Sequence, residues 1–179
     1  AASDVYKRQT LPLVMHALDS KARYAGRIYL TYSMCGAALG FIAMVLLLEH
    51  GGMFFQFGGG VSVLAGKENT LRAAYVLGFF GFGVKAAVFP GHRWLLRASV
   101  APTPVTALLH AVAVVKAGVF AVTRLTWYGY GPDLIRGSWA QYLVMGAAMF
   151  TIAYGSAKAL RTQHLKRRLA WSTTVSYTH

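Results

Sequence analysis

Acidic residues are scarce in this chain: Asp and Glu account for five of its 179 residues, against 18 Lys and Arg. Charged residues of both signs make up only 13% of the sequence, whereas soluble domains contain about 25%. Cys35 is the single cysteine, which excludes an internal disulfide. A chain with so few charges and 56% apolar residues is neither disordered nor a typical soluble domain. The composition therefore indicates a polytopic membrane protein.

Long apolar runs predict four transmembrane helices. The first of them carries no charged residue over 21 positions, about the length that crosses a ~30 Å hydrocarbon core as a helix. A shorter run at 10–17 is interpreted as the end of an earlier helix. The predicted fold class is all-α, a polytopic transmembrane helical bundle. Its predicted full spans are 28–48, 71–90, 103–123 and 138–157.

The basic residues are divided unequally between the two sides of this predicted topology. One side carries ten of them and the other carries four. The positive-inside rule assigns the richer side to the cytoplasm. The ten are Lys21, Arg23, Arg27, Arg93, Arg97, Lys158, Arg161, Lys166, Arg167 and Arg168. Topology thus accounts for the net charge of +13, and we expect no nucleic-acid partner.

Both ends of the chain match an oligonucleotide. Residues 4–9 (DVYKRQ) back-translate as GAT GTG TAT AAG AGA CAG, the end sequence used by a common transposase in sequencing libraries. Residues 175–179 (VSYTH) back-translate as GTC TCT TAT ACA CAT, part of its reverse complement. We therefore predict that 1–9 and 175–179 derive from an adapter and that 10–174 is an internal fragment of a longer membrane protein.

Lys85 is a charged residue within the second predicted span. A lysine at the centre of a membrane helix costs about 2.5–3.5 kcal/mol on insertion scales, and such residues mark ion and proton pathways. Pro90 lacks a backbone donor and clashes with the carbonyl of Ala86, which predicts a break in the helix just after the lysine. A functional lysine beside a broken helix is favoured over one that snorkels to the surface.

His110 and Lys116 share the third predicted span. Six helical residues separate them by about 9 Å along the axis and about 120° around it, so they do not form one ligand pair. The pattern favours successive stations of a proton relay, linked by water, over a structural histidine. No metal site is expected, because no carboxylate or second ligand lies at a suitable spacing. No nucleotide motif, haem pair or nucleophile with its base is present, so no cofactor is expected.

The segments around these residues resemble a known family. GFGVKAAVFPGHRWL (81–95) and APTPVTALLHAVAVVKAGVFAVTR (101–124) are similar to the antiporter-like, proton-conducting subunits of respiratory complex I, membrane-bound hydrogenases and Mrp-type cation/proton antiporters. The family pattern is K-x-P-x-x-P-L-H-x-W-L-P, then A-P-T-P-V-S-A-L-L-H-A-A-x-M-V-K-A-G. LKRRLAWST (165–173) resembles the family's LKRxLAYST. Ala87 departs from the pattern, which has proline there.

The resemblance implies an antiporter-like fold of two inverted five-helix repeats with one broken helix, of which this chain covers mainly the first repeat. It implies that Lys85 is the central lysine, that His110 and Lys116 form the relay, and that a glutamate before Thr10 pairs with the lysine. The implied function is translocation of protons or sodium beside other membrane subunits, in the plasma (inner) membrane of a prokaryote. The implied parent assembly is a complex I, a hydrogenase or an Mrp antiporter, with any redox centre in another subunit.

Two alternatives stay open on the sequence. A solute carrier could use Lys85 and the broken helix to bind an anion, which predicts a polar, substrate-sized cavity. A structural subunit could keep its buried lysines merely paired with neighbouring groups. Because the paired glutamate lies outside it, the 179-residue chain alone is expected not to drive proton flux.

Overall fold

The computed structural model describes residues 20–51, 55–56, 60–61, 66–99, 102–107 and 114–179. Most of these residues are helical, as the predicted all-α class requires. The α-helices, in chain order, are α1 (Ser20–Gly51), α2 (Glu68–Gly83), α3 (Arg93–Ala98), α4 (Thr103–Ala107), α5 (Val114–Arg124), α6 (Pro132–Ile135), α7 (Trp139–Arg161) and α8 (Leu165–Thr178). A π-helix (Leu125–Tyr130) continues α5, and two short strands, β1 (Phe55–Gln56) and β2 (Gly60–Val61), pair antiparallel.

Helices α1 and α2 pack against each other through glycines. A Cβ atom on Gly36 would lie 2.7 Å from the carbonyl oxygen of Gly81, and a Cβ on Gly81 would lie 2.6 Å from the backbone nitrogen of Gly40. Small residues at a helix interface allow backbones to approach closely, which is how membrane helices gain much of their packing energy. The two helices therefore meet backbone to backbone just before Lys85.

The π-helix secures α1 and α2 near the opposite end of the molecule. The buried hydroxyl of Tyr130 donates to the carbonyl of Ala43 at 3.2 Å, and its ring meets Tyr75 edge-on at 5.4 Å between centroids. The Nε atom of Arg72 donates to the carbonyl of Leu134 at 3.3 Å. These contacts tie the segment after α5 to the first two helices.

Helices α7 and α8 form an antiparallel pair around the bend at 162–164. Helix α7 begins after Gly137, whose φ is 71°, and Ser138 caps it by accepting from the backbone of Gln141 at 3.5 Å. A Cβ on Gly155 would lie 2.8 Å from the Cγ2 atom of Val175, so α8 lies close along α7. Residues 175–178 continue α8 as helix. The assignment of 175–179 to an adapter stays a prediction, and residues 1–19 lie outside the described part of the chain.

Two helices within the described residues are long and apolar enough to cross a membrane. They span Ala22–His50 (29 residues) and Trp139–Arg161 (23 residues). Only 28% and 17% of their most apolar windows are buried, whereas the core helix of a soluble protein is mostly buried. Large apolar side chains such as Phe41 and Met149 are exposed on them, as they are on helices that face lipid or other subunits.

The other two predicted spans take a different form. The run at 71–90 gives the 16-residue helix α2, which ends at Gly83, followed by non-helical backbone to His92. The run at 103–123 gives α4 and α5, and residues 108–113 between them lie outside the described part. The topology of four complete spans therefore stays a prediction.

Candidate functional site

Lys85 lies in the turn that follows α2. The helix ends two residues before it, whereas the sequence predicts an end just after it. The backbone of Lys85 donates to the carbonyl of Phe82 at 3.0 Å, and Val88 donates back to Gly83 at 2.9 Å. Pro90 lies five residues after Lys85, so the proline follows the end of α2 and does not cause it. The lysine is partly buried in this turn.

The turn has an unusual residue at its centre. Ala87 is fully buried and has a φ of 61°, in the left-handed region where a residue other than glycine costs about 1–2 kcal/mol. Its backbone donates to the carbonyl of Val84 at 3.2 Å. This is the position where the family pattern has proline, whose φ near −65° does not fit the conformation seen here.

Trp94, on α3, gives the carbonyl of Val84 at the end of α2 a second donor, beside the backbone N–H of Ala87. Its indole Nε1 donates to the carbonyl oxygen of Val84 at 2.6 Å, and the side chain is only 2% exposed. The ring of Tyr29 on α1 packs edge-on against the indole with 5.4 Å between centroids. Buried carbonyls at helix ends need such partners, so Trp94 is part of what allows α2 to end beside Lys85.

Helix α7 anchors the next part of the turn. The backbone of Phe89 donates to the hydroxyl of Thr151 at 3.1 Å, and that buried hydroxyl donates to the carbonyl of Ala147 at 2.7 Å. The ring of Phe89 also meets Phe150 edge-on with 5.0 Å between centroids. Residues 84–92 are thus fixed from both sides, by α3 and by α7.

Helix α5 packs on the backbone of Lys85 through Gly118. A Cβ on Gly118 would lie 2.5 Å from the nitrogen of Ala86, 2.7 Å from the carbonyl carbon of Lys85 and 2.8 Å from its Cβ. No side chain larger than hydrogen fits there without displacing the backbone. Gly118 cannot be recognised from the sequence, because only the contact between distant segments gives this glycine its importance.

Two cavities border Lys85 on the side of α1. The larger has a volume of about 280 Å³ and is lined mainly by apolar groups, including Gly36, Gly40 and Phe82. The smaller, of about 10 Å³, lies among Tyr29, Ser33, Lys85 and Trp94. Ser33 lines both, and its buried hydroxyl has no hydrogen-bond partner among the described residues. The smaller volume is about what the centre of one water molecule needs, and a water there would have polar neighbours.

His92 is enclosed by aromatic rings at the end of the turn. It stacks on Phe89 with 5.5 Å between ring centroids and lies 5.3 Å from Trp171 and 5.9 Å from Tyr154. Its side chain is buried, and Nδ1 has no hydrogen-bond partner among the described residues. This cluster joins the turn to α7 and α8.

The other predicted relay residues are placed differently. Lys116 is exposed on α5, two residues from Gly118 and therefore about 200° away around the helix. The face of α5 that meets Lys85 thus carries Gly118, and Lys116 lies on the opposite face. His110 lies outside the described residues. No cluster of three His, Cys, Asp or Glu side chains suited to a metal occurs within the described part.

Comparison with known proteins agrees with the picture of a helical membrane protein. The sequence profile of the NADH:quinone oxidoreductase/Mrp antiporter transmembrane family matches residues 9–177. The chain belongs to this family. The family is integral to the membrane, which confirms the predicted class of protein and its predicted membrane location in their general form.

Individual relatives come from several kinds of membrane assembly. The chain is 34% identical over 167 residues to hydrogenase-4 component B of Escherichia coli, a match that covers 90% of this chain and 24% of that protein. It is 42% identical over 110 residues to a Na(+)/H(+) antiporter component of Alkalihalophilus pseudofirmus, covering 62% of this chain and 13% of that protein. The chain therefore spans a quarter or less of the length of these curated relatives.

A solved structure shows the same fold. A chain of the membrane-bound sulfane sulfur reductase, an archaeal respiratory membrane complex, superposes with a TM-score of 0.76 at 22% identity. The match covers 98% of this chain and 36% of that one. The predicted antiporter-like helical fold is thus supported, while the inverted repeat and the broken helix stay predictions.

Proposed function

We propose that this chain is part of an antiporter-like subunit that moves protons or sodium ions across the plasma membrane, and that Lys85 is the group that exchanges the proton. The observation that carries the proposal is the position of Lys85, at the end of α2 and beside two cavities that Ser33 also lines. Ionisable groups within membrane helices are costly, and they recur where ions or protons pass. The relationship to hydrogenase and antiporter subunits supports the same function.

The local structure supports a role for the lysine in exchange with water. The backbone around Lys85 is fixed by Gly118 on one side and by the Trp94 hydrogen bond on the other. The lysine side chain, in contrast, borders cavity space on the side of α1. Non-helical backbone at membrane depth is tolerated where it is buried in protein or lines a hydrated cavity, and this turn has such an environment.

The onward path of the proton is proposed to run through His110 and Lys116. Because Lys116 lies on the far side of α5 from Gly118, a proton that leaves Lys85 has to travel around this helix. Water or additional groups must therefore bridge the two lysines. We further propose that a glutamate from an earlier helix pairs with Lys85 and that neighbouring membrane subunits complete the assembly, with any redox centre in another subunit.

The alternatives gain no specific support. The larger cavity beside Lys85 is mainly apolar, whereas an anion carrier requires a substrate-sized cavity with several polar groups. A purely structural role for Lys85 predicts that replacing it leaves transport unchanged, which the following experiment tests.

The experiment uses the full-length subunit that contains this segment, expressed with its neighbouring subunits in inverted membrane vesicles. We expect Lys85→Met to lower proton flux, followed by a pH-sensitive dye, roughly tenfold or more, as expected for loss of a proton-transfer group. Lys85→Arg should also fail to support rapid exchange, because arginine stays protonated. Lys67→Met, which removes an exposed lysine far from the turn, is the matched control. Unchanged flux in Lys85→Met at normal protein abundance would overturn the proposal.

A further inference from the structure

Another cavity lies where α1 begins, between three segments of the chain. It has a volume of about 560 Å³, within the range of about 300–1,000 Å³ typical of ligand sites. Its walls come from the start of α1, the end of α3 and the corner between α7 and α8. The residues that define it are Tyr24, Leu96, Arg97, Thr162, Arg167 and Trp171.

The charged side chains that line this cavity and its neighbour are all basic. Arg97 and Arg167 line the cavity, and a neighbouring cavity of about 370 Å³ is lined by Arg167, Lys166 and His164. The carboxylates of the described residues are distant in the fold. Glu49 lies 25 residues along α1 from Tyr24, about 37 Å for a helix, and Glu68 begins α2 next to that far end. Asp133 lies on α6, which Arg72 near the start of α2 contacts through the carbonyl of Leu134. No described carboxylate lines either cavity.

Arg97 is already held in a defined position. Its guanidinium lies over the ring of Tyr24 with 4.8 Å to the centroid. Stacking of this kind orients the guanidinium plane and leaves its edge N–H groups available to form paired hydrogen bonds to a phosphate. Tyr24 and Trp171 add amphipathic rings of the kind that lie at the level of lipid headgroups.

The location of the cavity identifies the source of such a phosphate. Arg97 and Arg167 belong to the basic side of the chain, which the positive-inside rule assigns to the cytoplasm. The inner leaflet there contains anionic phospholipids, and basic pockets between transmembrane helices bind their headgroups. Helices α1 and α7 also expose apolar side chains next to this end, along which acyl chains could lie.

We propose that this cavity is a binding site for an anionic phospholipid headgroup, with Arg97 and Arg167 holding the phosphate and Tyr24 and Trp171 packing against the glycerol region. The two arginines lie outside the Lys85 turn, whereas Trp171 also packs against His92 at the end of that turn. It would fix the corner between α7 and α8 at the membrane surface.

The test compares lipid binding by the purified 179-residue chain in mild detergent, with native mass spectrometry as the readout. Phosphatidylglycerol should bind more tightly than phosphatidylcholine. The double variant Arg97→Gln/Arg167→Gln should weaken phosphatidylglycerol binding roughly tenfold or more, the value expected for loss of charged hydrogen bonds. Lys67→Gln/Arg136→Gln removes two exposed charges from the other end of the chain and should leave binding unchanged.

A second measurement needs no variant. Phosphatidylglycerol should protect Arg97 and Arg167 from modification by phenylglyoxal, while Arg136 stays reactive. Equal binding of the two lipids, equal loss in both double variants, or no protection of the two arginines would overturn the proposal. Displacement of phosphatidylglycerol by millimolar inorganic phosphate would overturn the assignment to a lipid and indicate a site for soluble phosphate instead.

Discussion

Gly118→Ala is expected to push α5 away from the Lys85 turn, because no room for a methyl group exists between them. The added carbon would lie 2.5 Å from the nitrogen of Ala86 and 2.7 Å from the carbonyl carbon of Lys85. Both are backbone atoms, so the clash cannot be relieved by rotating a side chain. Either α5 or the turn has to move.

The size of the effect follows from two opposing terms. Alanine favours the helix over glycine by about 1 kcal/mol. Overpacking of a well-packed contact costs about 1–3 kcal/mol. Gly146→Ala on α7 isolates the first term, because a Cβ on Gly146 meets nothing within 4 Å. The difference between the two variants is therefore about 1–3 kcal/mol, all of it due to the contact with the turn.

Thermal unfolding of the purified chain in detergent provides the assay. For a chain of this size, 1 kcal/mol shifts the Tm by about 2–4 °C, so Gly118→Ala should unfold about 2–12 °C below Gly146→Ala. In the full-length subunit, proton flux should fall in Gly118→Ala and be retained in Gly146→Ala. Equal Tm values for the two variants would refute the close packing of α5 on the Lys85 turn.

Substitutions at two further positions, Ala87 in the turn and Trp94 beside it on α3, use the same thermal assay. Ala87→Pro should lower the Tm, although the family pattern has proline there, because the φ of 61° excludes proline and the hydrogen bond to Val84 is lost. Ala87→Gly should unfold at a Tm no lower than that of the unaltered chain, since glycine adopts this φ without strain. Trp94→Phe should cost about 0.5–1.5 kcal/mol, because the buried carbonyl of Val84 loses the indole donor and keeps only the backbone donor of Ala87. Trp139→Phe, at an exposed tryptophan, is the control.

Two results would contradict the expected effects at Ala87 and Trp94. A proline variant as stable as the glycine variant would show that residue 87 does not have the left-handed conformation. A Trp94→Phe variant as stable as Trp139→Phe would show that the indole hydrogen bond contributes nothing to the end of α2.

The family, the membrane class and the mostly helical fold could be predicted from the sequence. Hydropathy located the apolar runs, and 28–48 lies inside α1. It did not locate the ends of the helix, which extends from Ser20 to Gly51. Hydropathy marks the stretch of residues that can lie in the hydrocarbon core of the bilayer. A helix, in contrast, continues through polar residues for as long as its backbone hydrogen bonds continue.

The details of the site were harder to predict. Pro90 suggested a helix end after Lys85, but the helix ends before the lysine. Tertiary contacts, and not the proline, determine the residue at which α2 ends. Trp94 supplies a donor to the carbonyl of Val84, and Gly118 presses on the next peptide unit. Neither contact is visible in a pattern of local propensity. The exposed position of Lys116 likewise depends on which face of α5 meets the turn.

The glycine contacts on both sides of Lys85 limit how the site can operate. Gly81 locks against α1 just before the lysine, and Gly118 leaves no gap beside its backbone. The backbone around Lys85 is therefore held rigidly, because it cannot slide or tilt without breaking several close contacts. A change in the position of the positive charge must come from rotation about the bonds of the four-carbon stem. In the proposed proton exchange, the distance over which this charge can move is set by the reach of one side chain and by the free space next to α1.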